Sequence, residues 1–92
     1  MSTLLLVVED AFEAGGAGVV LHPRIVVQEA AATPFAVELR QPDGRTQAAQ
    51  ARFDLAHLRN AHGTFALVRV LGIPLGELPP GTEVWRLDRP GT

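Results

Sequence analysis

Ninety-two residues, 47% hydrophobic and 20% charged, suit one folded domain and exclude a disordered tail. The lack of cysteine excludes disulfides and thiolate metal sites. All eight basic residues are arginine and the formal net charge is −2, which argues against a nucleic-acid binder of the usual basic kind.

The first segment, MSTLLLVVEDAFE, has an apolar run from Leu4 to Val8 followed at once by Glu9, Asp10 and Glu13. A signal peptide needs a basic flank before a longer apolar run, and a membrane span needs roughly 20 apolar residues. The segment reads as a strand of a cytoplasmic protein without membrane association. EAGGAG, residues 13–18, then breaks the strand, because glycine permits a tight reversal. VVLHPRIVVQ follows, with Val19, Leu21, Ile25 and Val27 on one side and Val20, His22, Arg24, Val26 and Gln28 on the other. Pro23 removes a ladder donor and marks an edge position, a bulge or a bend.

After the connection EAAATP comes FAVELR, with Phe35, Val37 and Leu39 inward. QPDG supplies a hairpin turn, and RTQAAQARF returns with Ala49, Ala51 and Phe53 on one face. Residues 54–63, DLAHLRNAHG, fit either one helical turn capped by Asp54 or an irregular loop. TFALVRVLG is the next strand and TEVWRL the last, joined by the proline-rich GIPLGELPPG; residues 87–92 read as a loose tail. Six short strands with apolar residues on both faces predict an all-β fold, a small closed antiparallel barrel occupying residues 1–92 as one domain.

Three pieces are similar to the second domain of elongation factor Tu and related translational GTPases: VEDAFEAGGAGVV, FAVELRQPDGRTQAAQARFDL and HGTFALVRVLGIPLGELPPGTEVW. They occur in the family's order across residues 4–88. The resemblance implies a six-stranded Greek-key barrel in which the proline-rich connector carries the last strand across to pair beside an early one. It implies no GTPase activity, since a chain without lysine has no phosphate-binding loop of the G-x-x-x-x-G-K-[ST] kind. Ala17 replaces the family's turn arginine, and VVLH (Val19–His22) replaces its VVTG, so the tRNA-holding role is not carried over.

No residues stand out as catalytic. His57 and His62 with Asp54 are spaced wrongly for a helical metal site, and Glu9, Asp10 and Glu13 read as solvated carboxylates around a glycine turn. Ser2 is the sole serine, and no cofactor or metal is expected. His22, Arg24 and Arg40 form a candidate ligand or RNA surface. The strand TFALVRV is apolar on both faces: Ala66, Val68 and Val70 on one, Phe65, Leu67, Arg69 and Leu71 on the other. Either DLAHLRN covers the second face, or Phe65, Leu67, Arg69 and Trp85 form a partner surface. The expected function is therefore a non-enzymatic interaction module that binds a protein partner or itself. The alternative is an RNA- or ribosome-associated module, motivated by Arg24, Arg40, Arg52 and Arg69.

Overall fold

The computed structural model describes residues 2–13, 18–27, 34–60 and 63–87. The predicted glycine turn at 14–17, Gln28, the connection at 29–33, His62 and residues 88–92 of the predicted tail lie outside the described residues. Among the described residues there are seven strands: β1 (Ser2–Val7), β2 (Asp10–Glu13), β3 (Val19–Val27), β4 (Phe35–Arg40), β5 (Thr46–Asn60), β6 (Gly63–Leu71) and β7 (Glu83–Leu87). A 3-10 turn, Leu75–Glu77, precedes β7. The all-β, antiparallel expectation is met.

The closed six-stranded barrel is not. The strands form one curled sheet, an open half-barrel, in the order β1-β7-β4-β5-β6-β3-β2. The reason lies at Val8 and Glu9, where the single expected first strand divides. The Val8 amide donates to Thr82 O (2.8 Å), beside β7, and the next amide, Glu9, donates to His22 O (2.8 Å) in β3. Consecutive amides thus serve opposite neighbours, and β1 and β2 become the two edges of the sheet.

Alternation along the strands builds the core. Val37 and Leu39 of β4, Ala51 and Phe53 of β5, and Ala66, Val68 and Val70 of β6 are buried on one face with Val19 and Leu21 of β3. The inward set expected for β4 and β5 is the one observed. In β1 a bulge between Leu4 and Leu6 shifts the alternation, so that Leu6 and Val8 are buried while Leu4 and Val7 face outward. The register of β3 on β6 shifts between Leu21 and Ile25, around the cis His22–Pro23 peptide, so the irregularity expected at Pro23 is present.

Residues 54–60 correct a second expectation. They are neither a helical turn nor an irregular loop but the second half of β5, which pairs Asp54 with Leu67, Leu55 with Ala66 and Arg59 with Thr64. The segment therefore lies beside β6 in the same sheet and not over its outer face. Leu87, where the last expected strand and the expected tail met, belongs to β7 and pairs with Ser2.

The proline-rich connector crosses one end of the core and takes the chain from β6 to β7 between β1 and β4, so that the last strand pairs beside the first as expected. Leu78 plugs the interior there, almost fully buried. Gln41, buried at the end of β4, donates through Nε2 to both the backbone oxygen (2.8 Å) and the carboxylate (3.0 Å) of Glu77. Gly81, at φ +94°, donates to Val8 O and packs against Pro42. The connector is thereby pinned to the hairpin turn and to the β1–β2 corner. Gln41→Ala removes both hydrogen bonds and leaves the Glu77 carbonyl without its donor. A loss of about 1–2 kcal/mol is expected in urea unfolding, because unmade buried hydrogen bonds cost that much.

The β4–β5 turn is built as its sequence requires. Gln41 N donates to Arg45 O, Gly44 N donates to Gln41 O, and Gly44 takes φ +93°. Asp43 accepts from the Arg45 amide (3.0 Å) and from its guanidinium (2.7 Å). These bonds, the backbone one foremost, hold the Asp43 carboxyl below its ordinary value. A depressed carboxyl contributes stability above its unfolded pKa and loses that contribution as pH falls through the folded one. A carboxyl-carbon NMR titration is expected to show a lowered Asp43 midpoint. Arg45→Ala should return it only part of the way, because the backbone amide remains.

Candidate protein-binding face

The outer face of β6 is assembled by cross-strand pairing. Phe65, Leu67, Arg69 and Leu71 alternate with the buried Ala66, Val68 and Val70 and are themselves partly buried, the Arg69 side chain being 16% exposed. On the β3 side Val26 stands opposite Phe65 and Val20 opposite Arg69. On the β5 side Asp54 stands opposite Leu67, Arg52 opposite Arg69 and Gln50 opposite Leu71. Directly opposed residues share a face, so the register places apolar and arginine side chains together on the convex side.

Arginines organise this surface. The Arg24 guanidinium lies 4.5 Å from the Phe65 ring centroid, a cation–π arrangement. Arg69 donates to Asp54 Oδ2 through Nε (2.8 Å) and also through Nη2. Hydrogen bonding to this carboxylate raises the Arg69 pKa above its already high value, so the charge is permanent. Arg52 faces Arg69 across the strands, a like-charge pair, with its Nε 3.6 Å from Asp54 Oδ1. Asp54 is thus the carboxylate that holds two opposed guanidiniums on one face. Asp54→Ala is expected to lower stability by about 1–2 kcal/mol, since it removes charge-assisted bonds and leaves like charges opposed. Thermal unfolding measures the loss, and Arg52→Ala made in the Asp54→Ala background should recover part of it.

The other expected site residues fall elsewhere. Trp85 is on β7, separated from β6 by β4 and β5, and so does not join Phe65, Leu67 and Arg69. It stacks under Arg40 (4.6 Å), donates Nε1–H to Glu83 (2.8 Å), and Arg40 in turn pairs with Glu38 (2.6 Å). His22 and Arg24 are on β3, and two strands stand between them and Arg40 on β4, so the three do not form one surface. His22 instead meets the ring of Phe12 edge-on, 5.2 Å between centroids. Phe12, half exposed on the edge strand β2, was not singled out by sequence reasoning. Its place in the alternation Asp10-Ala11-Phe12-Glu13 was the available signal. His57 lies on β5. Among the described residues no group of three or more His, Cys, Asp or Glu side chains is arranged to hold a metal ion, and no helix is long and apolar enough to cross a membrane.

Comparison with protein-family models, with curated proteins and with solved structures finds no match to this chain. What the site does must therefore be argued from its own chemistry. The face joins aliphatic and aromatic surface to arginines held in place by a ring or a carboxylate. That combination is suited to binding, since aromatic residues and arginine are enriched at protein interfaces.

Proposed function

We propose that this chain is a non-enzymatic interaction module, a curled β-sheet that binds a protein partner through the outer face of β6. One observation carries the reading: β6 is apolar on both sides, and the segment expected to cover its second side lies beside it in the sheet. Among the described residues Val26 is exposed and Phe65, Leu67 and Leu71 stay partly exposed beside it, and accessible apolar surface grouped in this way supports a partner site. Pairing of two copies through the β2 edge is disfavoured. A two-fold axis between Ala11 and Phe12 would set Asp10 against Glu13 of the other copy, like charge on like charge.

An RNA-binding role is the alternative reading, and the charge distribution weighs against it. Arg40 is paired with Glu38, Arg45 with Asp43 and Arg69 with Asp54, so the arginines do not make the continuous basic stripe that a phosphate backbone needs. The resemblance to the second domain of elongation factor Tu is one of sequence motifs, and it names no ligand for this chain.

Affinity purification of the tagged protein from its own cells, with and without ribonuclease, tests the proposal. The expected result is a protein retained through nuclease and high salt. Retention that vanishes with nuclease, or collapses steeply with salt, would move the assignment to RNA.

A further inference from the structure

The outer face of β5 and β6 also specifies what the partner brings. This inference rests on the protein-binding role proposed above and names the chemistry of the contact. Arg69 and Arg52 stand opposite one another, and Asp54 is shared between them unequally. Arg69 donates to Oδ2 through both Nε and Nη2, whereas Arg52 reaches Oδ1 only at 3.6 Å, an ion pair beyond hydrogen-bond distance. The Arg52 guanidinium donates no hydrogen bond among the described residues, its Nε is buried without an acceptor, and its side chain remains 41% exposed. Arg24, on the far side of Phe65, likewise has a ring and no carboxylate as its partner among the described residues. Arg52 and Arg69 thus share the Asp54 carboxylate while Arg24 lies on a ring, although the chain as a whole is acidic.

Guanidinium groups satisfy their donors best on carboxylates or phosphates, in forked pairs. The apolar side chains around them, Val20, Leu67 and Leu71, favour a ligand that is itself part apolar. A polyphosphate backbone offers no such surface. The geometry points to a partner segment that sets an aspartate or glutamate on Arg52, next to apolar residues lying on Leu67 and Phe65.

NMR titration of the intact protein tests this with a blocked peptide alternating leucine and glutamate. Its counterpart with glutamine for glutamate and an oligouridylate serve as comparisons. The Arg52 Nε–H signal and the amides of Leu67 and Arg69 are expected to shift saturably with the glutamate peptide. The glutamine peptide should bind about tenfold more weakly, the worth of one charge-assisted pair. In Arg52→Gln, a change at an exposed side chain that leaves the core untouched, the two peptides should bind equally. Equal binding of both peptides to the unaltered protein would overturn the carboxylate contact while leaving a protein-binding face. Absence of any shift with the glutamate peptide would overturn it too, and the cellular purification would still decide the broader role. Shifts produced only by the oligouridylate would overturn both.

Discussion

Gly18→Ala is expected to cost about 3 kcal/mol or more, enough to shift the unfolding midpoint of a domain this size severely. Gly18 sits at φ +82°, in the left-handed region that a side chain disfavours. Space is the larger difficulty. A Cβ built there would stand 2.5 Å from the carbonyl oxygen of Val70 and 3.1 Å from Arg69 Cγ. The oxygen belongs to the backbone of β6, which is held on both sides by β3 and β5 and has little room to yield. Gly44→Ala is the matched control. Its φ is +93°, but a Cβ there meets nothing within 4 Å, so only the conformational cost remains, about 1 kcal/mol. Urea unfolding of the two variants side by side should separate them clearly. Equal losses would mean that β3 does not enter the sheet against Val70 as described.

Leu39→Ala is expected to cost about 3 kcal/mol, with a range of roughly 2–5 set by how far the core collapses around the void. Leu39 is fully buried in β4, between β5 and β7 and beneath the connector end of the core. A domain of this length has about 5–10 kcal/mol in total, so much of the stability rests on one side chain. Leu75→Ala, on the connector's exposed surface at 38% exposure, should change stability by less than about 0.5 kcal/mol. Comparable losses at both positions would contradict the assignment of Leu39 to the interior.

The two variants probe parts of the fold that differ in how visible they were in the sequence. The inward set Phe35, Val37 and Leu39 was legible because strict alternation has a period that only a half-buried strand satisfies. The Pro42-Asp43-Gly44 turn was legible because its residues fit the backbone angles that the turn requires. The second half of β5 was not. Asp54, Leu55 and Leu58 suit a capped helical turn as well as a strand, and what decides between them is pairing with Leu67, Ala66 and Thr64, a long-range matter. The register shift between Leu55 and Arg59 further spoils the alternation that would have revealed a strand. The division of the first strand was hidden for a related reason. Nothing in the run from Leu4 to Phe12 says that neighbouring amides will serve different partners.

The candidate face shows the same limit. Phe65, Leu67 and Arg69 were visible as the second apolar side of β6, since that follows from one strand alone. Arg52 and Asp54 join them only through the register of β5 on β6, and Trp85 leaves them only through the strand order. Sequence periodicity tells which residues share a side of a strand. It does not tell which strands are neighbours.

The central claim, a protein partner seated on the outer face of β6, is tested most directly by repeating the cellular purification with Leu67→Asp and Leu75→Asp. Leu75 lies on the connector, away from that face, and circular dichroism would establish that each variant is folded. A nuclease-resistant partner retained by the unaltered protein and by Leu75→Asp, and lost from Leu67→Asp, is the predicted result. Retention of the same partner by folded Leu67→Asp would contradict it.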